Sequence, residues 1–102
     1  MVKRVYICSL AEGTDPDEFW KHWIGVHAAE LKNEPHIKKY VIHRVTKVAK
    51  GEPKFWGLLE MWFDSEEDYH RHRIFADKIS DGYFASHVTD RFAAWVEEKV
   101  II

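Results

Sequence analysis

Hydrophobic and polar residues alternate along three stretches of the chain, which is the pattern of β-strands that have two distinct faces. The stretches run from Val2 to Leu10, from His36 to Val48 and from Lys54 to Phe63. The third stretch is apolar on both faces, although Glu60 interrupts one of them. Because such a strand has to be covered on both sides, the pattern predicts a sheet with no fully solvated face.

A helix is predicted between the first two strands. The segment Asp15–Glu18 supplies a capping side chain, a proline and first-turn acids in the order that begins a helix. The helix is predicted to continue to about Lys32, with Phe19, Trp23 and Val26 at the spacing of a core-facing stripe.

Three further elements are predicted in the last third of the chain. One helix begins after Asp64-Ser65 and ends near Ser80, and a second helical stretch runs from Tyr83 to about Val96. The apolar segment from Val100 to Ile102 is predicted to pair as a last strand. The resulting order, β-α-β-β-α-(α)-β, predicts an α+β protein of the ferredoxin-like type with an antiparallel sheet.

Composition limits the classes of protein that fit this pattern. With 102 residues the chain is predicted to be a single domain, residues 1–102. A formal net charge of −2 argues against nucleic acid and anionic membranes as partners. The single Cys8 excludes an internal disulfide, and no apolar run is long enough to span a membrane, so a cytoplasmic protein is expected.

Aromatic residues are unusually abundant, at 15% with five tryptophans, which is more than a compact core of this size readily hides. In a ferredoxin-like fold the helices cover one face of the sheet, and the apolar third strand would then leave a patch on the other. A second copy packed sheet to sheet about a two-fold axis is the simplest cover, with segments such as Val100 to Ile102 bridging the edges. The alternative is a monomer in which one strand pattern differs from this interpretation.

The sequence resembles the EthD family of the dimeric α/β-barrel superfamily over nearly its whole length. The motifs that carry the resemblance are Glu18-Phe19, His22-Trp23, His27, Pro35, Ile37, Tyr40, the segment Glu60 to Ser65 and the segment Val96 to Ile102. The resemblance implies a homodimer with an apolar pocket on each protomer between sheet and helices. It also implies relatives that include lactone isomerases, polyketide cyclases or dehydratases, cofactor-free monooxygenases and haem-degrading enzymes.

Three residues are candidates for catalysis. His27 lies on or beside the core-facing stripe, where burial makes an imidazole a general acid or base near neutral pH, although a core histidine is the alternative. Tyr40 offers a phenol that stabilises a developing enolate oxygen, or else only covers the sheet. Glu60 either orients His27, binds a substrate hydroxyl or pairs at a dimer interface.

Five residues are candidates for binding an apolar, aromatic substrate, with packing in the core, at the interface or at the surface as the alternative for each. They are Trp23, Trp56, Trp62, Tyr83 and His87. The remaining histidines are expected to be solvated or half-buried; they are His22, His36, His43, His70 and His72.

Other chemistries lack their motifs. His22 and His27 are five residues apart and so do not share a face of an α-helix, and we expect no metal site. No nucleophile elbow or glycine-rich phosphate loop is present, and no cofactor is predicted.

The sequence therefore favours a homodimeric enzyme that moves protons on a small apolar cyclic or polyketide-like substrate, of the isomerase, cyclase or dehydratase type. His27 would transfer the proton and the tryptophans would exclude water. Two alternatives remain open at this point. One is a monooxygenase acting on a quinol-like or haem substrate, and the other is a non-catalytic accessory protein that binds a hydrophobic metabolite.

Overall fold

A computed structural model of the chain describes residues 1–52, 55–79 and 81–102. Four antiparallel strands form one sheet in the order β2-β3-β1-β4. They are β1 (Val2–Leu10), β2 (Ile37–Arg44), β3 (Gly57–Phe63) and β4 (Val88–Val96). With the helices between them, the element order is the predicted one, and the α+β class with an antiparallel sheet is confirmed.

The first helix contains a change of helical type that the sequence pattern does not show. It consists of α1 (Pro16–His22), a π-helical segment (Trp23–His27) and α2 (Ala28–Leu31). Asp15 caps it as predicted, because its Oδ1 accepts from the backbone amides of Asp17 and Glu18 at 2.9 and 3.1 Å. In the π segment the Ala28 amide donates to the Trp23 carbonyl, five residues earlier. This wider turn rotates the residues after Trp23, so the predicted core residue Val26 is instead 42% exposed.

The last third of the chain differs from the prediction. Helices α3 (Glu66–Ile79) and α4 (Gly82–His87) are present, but the chain from Val88 onwards is strand β4, so the helix predicted to reach Val96 is wrong beyond His87. Pairing with β1 overrides the helical spacing of the apolar residues. The prediction that Val100 to Ile102 form the last strand is also wrong, because these residues lie outside the sheet and are exposed.

The second and third strands are shorter than predicted. β2 ends at Arg44, whereas the prediction extended to Val48, and β3 begins at Gly57. Lys54, where the third strand was predicted to begin, lies outside the described residues, as does Pro53 of the predicted turn. Outside the strands, the Val45 amide still donates to the Trp56 carbonyl at 2.7 Å, so the two chain segments remain side by side.

The core lies between the helices and one face of the sheet. Its fully buried centre comprises Cys8, Phe19, Trp23 and Phe63, each with no exposed surface. Leu59 and Met61 of β3 alternate with residues of the opposite face, as the sequence pattern predicts. No helix in the described part of the chain is long and apolar enough to cross a membrane.

Candidate functional site

A buried carboxylate joins the first helix to α4. Asp81 is the N-cap of α4, and its side chain is only 6% exposed. Its Oδ1 accepts from the Phe84 amide at 2.9 Å. Its Oδ2 lies 2.7 Å from His22 Nε2 and 3.1 Å from His27 Nδ1. Because an ionised carboxylate only accepts, both imidazoles donate to the same oxygen.

The π segment explains why two histidines five residues apart reach one partner. In an α-helix, residues at this spacing point in different directions, whereas the i→i+5 hydrogen bond of a π turn places them in register. The sequence argument that His22 and His27 do not share a face is therefore wrong for this helix. Among the residues that the structure describes, no group of three or more His, Cys, Asp or Glu side chains is arranged to hold a metal ion.

The surroundings of these groups set their ionisation. Burial opposes the charged form of Asp81, but the Phe84 amide and the two imidazoles outweigh it and hold the pKa of this carboxyl below its usual value. Burial lowers the pKa of His27 below 6.5, and the nearby Asp81 only partly offsets this effect. At neutral pH the arrangement is therefore an ionised aspartate that holds a neutral His27.

Aromatic rings surround the two imidazoles. The His27 ring stacks on Phe84 with centroids 4.1 Å apart and planes 8° from parallel. His22 lies 4.3 Å from the ring of Tyr83, which in turn stacks on His87 at 4.1 Å. Three candidates from the sequence, His27, Tyr83 and His87, are thus brought to one region, together with Asp81 and His22, which the sequence reasoning did not assign to a site.

Tyr40 belongs to the neighbouring part of the core. Its hydroxyl accepts from Trp23 Nε1 at 3.2 Å, and burial raises the pKa of the phenol to about 12. The Trp23 ring packs edge-on against Phe84 at 5.5 Å, and Phe84 contacts His27. Tyr40 is therefore a protonated phenol connected to His27 only through two aromatic side chains.

Two candidates lie on the sheet face that the helices leave open. Glu60 pairs with Lys3 Nζ at 3.1 Å and with His43 Nε2 at 3.3 Å. The Trp62 ring faces the ammonium groups of Lys3 and Lys39, at 4.6 and 4.8 Å from its centroid. Glu60 therefore does not orient His27, and the structure contradicts that interpretation of Glu60.

Strict alternation along the strand would place Trp56 on the same sheet face as Glu60, but the structure places it on the other face. It precedes the first residue of β3 and packs on the helix side of the sheet, with its ring 5.4 Å from Phe19 and 6.2 Å from Trp23. Trp56 and Glu60 therefore lie on opposite faces, because the strand geometry that would align them begins only at Gly57.

Two of the clefts in the described part of the chain are large enough for a small ligand. One, of about 360 Å³, lies between the first helix and β2 and includes Tyr40. The other, of about 550 Å³, lies at the end of the sheet and includes Trp62 and Trp95. His27 lines neither cleft, and its side chain, 20% exposed, reaches solvent beside α4.

A second buried carboxylate was not predicted from sequence. Glu34 has a side chain only 1% exposed and accepts from His72 Nδ1 at 2.7 Å and from the amides of His36 and Ile37. Its second oxygen is bonded to the His36 ring. His72 is 2% exposed, so the expectation that it is solvated or half-buried is wrong. Nothing local in the sequence marks this contact, since 38 residues separate its partners.

The four-stranded antiparallel sheet with helices on one face defines a ferredoxin-like α+β protein. Residues 11–81 match the EthD domain, and the chain belongs to the EthD family.

Three solved structures illustrate the similarity of fold. An EthD family protein from Bacillus halodurans is 19% identical, with a TM-score of 0.71 over 97% of this chain and 100% of that one. A dimeric ferredoxin-like protein from an uncultured marine organism is 14% identical, with a TM-score of 0.71 over 99% of this chain and 91% of that one. SnoaB from Streptomyces nogalater, a cofactor-independent oxygenase, is 10% identical, with a TM-score of 0.69 over 99% of this chain and 95% of that one. No curated protein matches the sequence.

Proposed function

We propose that this EthD family protein is a homodimeric acid/base catalyst that acts without a cofactor on a small, apolar cyclic or polyketide-like substrate. The observation that carries the proposal is the Asp81 carboxylate, buried and hydrogen-bonded to both His22 and His27. A carboxylate that fixes the orientation of an imidazole is the usual support of a histidine general base.

The hydrogen bond to Asp81 supports Nε2 of His27 as the nitrogen that would transfer the proton. His27 donates its Nδ1 proton to Asp81, so its Nε2 keeps a lone pair that can accept a proton from an acidic C–H group. As Nε2 takes the proton, the ring becomes an imidazolium, which the adjacent Asp81 charge stabilises. In an isomerisation the same nitrogen returns the proton to another carbon of the substrate; in a dehydration it protonates a hydroxyl on the neighbouring carbon, whose C–O bond breaks to release water as the C=C bond forms.

Aromatic side chains support an apolar substrate. The rings of Tyr83 and His87 are stacked and half-buried next to the two imidazoles, so a flat molecule can lie against them with its reactive carbon near His27. Trp23 lies behind this surface, where it packs against Phe84, the ring on which His27 stacks, and Tyr40 is hydrogen-bonded to Trp23.

The open face of the sheet supports the homodimer. Leu58 and Trp62 of β3 lie there beside Val5 and Ile7 of β1, and Phe92 of β4 is 56% exposed. A contiguous apolar surface of this kind usually marks an interface. A structurally similar protein of the same fold is a dimer. A second copy facing this sheet would bury the Lys3–Glu60–His43 group between the protomers.

Oxidation is a second candidate activity, favoured by the structural similarity to the cofactor-independent oxygenase SnoaB. Deprotonation of a phenol by His27 would give an electron-rich phenolate, which transfers electrons to dioxygen more readily than the neutral phenol does. Dioxygen uptake with 1-naphthol as the substrate tests this activity. Uptake that is lost in His27→Gln would favour oxidation over isomerisation.

The main test follows proton transfer directly. The α-hydrogens of 2-tetralone, an apolar enolisable ketone, are exchanged in D2O and followed by NMR with the wild-type protein and with His27→Gln. We expect acceleration by the wild type and a loss of about 10²-fold or more in the variant. His70→Gln is the matched control, because His70 is exposed on α3, away from both imidazoles and from the open sheet face, and should leave the rate unchanged.

Equal rates for His27→Gln and His70→Gln, both with the wild-type oligomeric state, would contradict the role of His27. Absence of any acceleration by the wild type would contradict enolisation of apolar ketones as the activity.

A further inference from the structure

The cleft between the first helix and β2 is separate from the Asp81 cluster and shares no residue with it. Its apolar wall is formed by Ile24, Ala28, Ala29 and Ile37. Its volume of about 360 Å³ is within the range of small-molecule sites in proteins. The alanines contribute to the open space, because larger side chains at these helix positions would project into it.

The charges around the cleft all have one sign. Lys32, Lys38 and Lys39 line it, and no acidic residue does. Two of these charges are engaged elsewhere: Lys38 Nζ lies 3.7 Å from the exposed Asp64 carboxylate, and Lys39 Nζ faces the Trp62 ring, on the sheet face that the helices leave open. The Lys32 amide donates to the Ala28 carbonyl at 3.0 Å, but its ammonium group makes no ion pair or hydrogen bond with any residue in the described ranges. The cleft therefore offers an unneutralised ammonium group beside an apolar wall.

A buried hydroxyl provides the second observation that points to a ligand. The Tyr40 oxygen accepts from Trp23 Nε1, but the structure shows no acceptor among the described residues for the Tyr40 O–H itself. Tyr40 is also a lining residue of the cleft. Because a phenol can accept one hydrogen bond and donate another, the contact with Trp23 leaves the Tyr40 O–H able to donate to an oxygen of a bound molecule.

We propose that this cleft binds an apolar carboxylate that carries a second oxygen, such as an aromatic keto acid. The carboxylate pairs with Lys32 at the rim, the hydrocarbon part packs against Ile24, Ala28 and Ile37, and the second oxygen accepts from the Tyr40 O–H. The lysines and the absence of acids discriminate against cationic and neutral molecules, and the apolar wall discriminates against sugars and inorganic anions.

The probe for this site is 4-benzoylbenzoate, which combines a carboxylate, two aromatic rings and a ketone that forms covalent adducts on irradiation. Photolysis of the complex followed by peptide mass spectrometry should label the segment 24–40. Labelling that is confined to the peptide containing Tyr83 and His87 would instead place the probe at the proposed catalytic surface and overturn the assignment.

Affinities measured by calorimetry test the individual contacts. Neutral 4-benzoylbenzamide should bind about tenfold more weakly than the carboxylate, and Lys32→Gln should weaken carboxylate binding about fivefold. Tyr40→Phe should weaken the binding of both probes, because both carry the ketone. Lys50→Gln is the matched control, since Lys50 is exposed and outside the cleft.

Equal affinity of the acid and the amide, or equal effects of Lys32→Gln and Lys50→Gln, would overturn the proposal. A third outcome addresses the alternative that a second copy of the chain fills the cleft. If Lys32→Glu converts a dimer to a monomer in sedimentation velocity, the cleft is part of a protein interface, and the ligand assignment is wrong.

Discussion

Asp81 shows how one side chain combines a structural and a chemical role. Its Oδ1 caps α4, and its Oδ2 holds two imidazoles from another helix. Capping residues are recognisable from local sequence, and an aspartate before a glycine is an ordinary example. The second role depends on contacts between distant residues, which no local pattern encodes. Asp81 is 54 positions from His27 and 59 positions from His22.

The ionisation of His27 provides a test of this arrangement. Burial lowers its pKa and Asp81 partly raises it again, so the imidazole should titrate below pH 6.5 in NMR spectra of the wild type. In Asp81→Asn the raising effect is lost and the pKa should decrease further, while the asparagine can still cap α4. Asp77→Asn, on the exposed side of α3, should leave the titration unchanged.

The interaction between Asp81 and His27 also predicts how catalysis should depend on pH. In the proposed mechanism His27 acts as a base in its neutral form, so activity should be constant near neutral pH and fall as the pH decreases through the lowered pKa. Asp81→Asn should reduce kcat/KM by about 10²- to 10⁴-fold because the neutral ring is no longer oriented. A wild-type activity that rises as the pH falls from 7 to 6 would contradict a neutral His27 base.

Gly57 marks a position where the backbone and a core side chain approach closely. A Cβ at this residue would lie 2.9 Å from Cζ3 of the fully buried Trp23. Gly57→Ala should therefore lower the free energy of unfolding by about 1–3 kcal/mol, measured by urea denaturation. Gly25→Ala is the control, because nothing lies within 4 Å of its added Cβ. An equal effect of the two substitutions would contradict this contact.

At the scale of elements, the π segment is the feature with the greatest consequence for the site. It turns His22 and His27 toward one carboxylate and turns Val26 away from the core. The start of the helix was predictable because the cap, the proline and the first-turn acids act locally. The π turn was not predictable, because it depends on which side chains fit into the core and against α4.

The contact between α3 and the loop before β2 predicts a pH effect on stability. Despite burial, hydrogen bonds from His72 and His36 hold the pKa of Glu34 below its usual value, so the unfolded chain binds the proton more tightly. This stabilisation is present above the ordinary glutamate pKa of about 4.5 and is lost as the pH falls through the lower folded-state pKa.

Glu34→Gln should cost about 1–3 kcal/mol at pH 7, because an amide cannot accept all the hydrogen bonds that the buried carboxylate receives from His72, His36 and Ile37. The difference from the wild type should shrink in urea titrations repeated below pH 4. Glu30→Gln, on an exposed residue, should change neither value. A Glu34→Gln difference that is the same at both pH values would show that the ionised carboxylate is not the stabilising form.

At the scale of the whole molecule, the sheet has one face covered by helices and one face with apolar side chains around a small charged group. The exposed segment Val100 to Ile102 adds further apolar surface beyond β4. Both features fit a functional unit of two chains, which would bury apolar area that a single protomer leaves in contact with water.

Disruption of the open face tests this unit. Leu58→Glu places a charge in the middle of the proposed interface and should convert a dimer to a monomer in sedimentation velocity. Ile74→Glu is the matched control, because Ile74 is 63% exposed on α3, away from the sheet face. A wild-type protein that sediments as a monomer at micromolar concentration would contradict the proposed homodimer.

The order of the elements as far as α4, the α+β class and the cap of the first helix follow from the sequence alone, because capping and the periods of 2 and 3.6 residues are local properties. The structure decided three other features. Strand pairing with β1 made Val88 to Val96 a strand, the π turn brought His22 and His27 together, and long-range packing buried Asp81 and Glu34 beside histidines. Each depends on contacts between distant parts of the chain, so its energy is present only in the assembled fold.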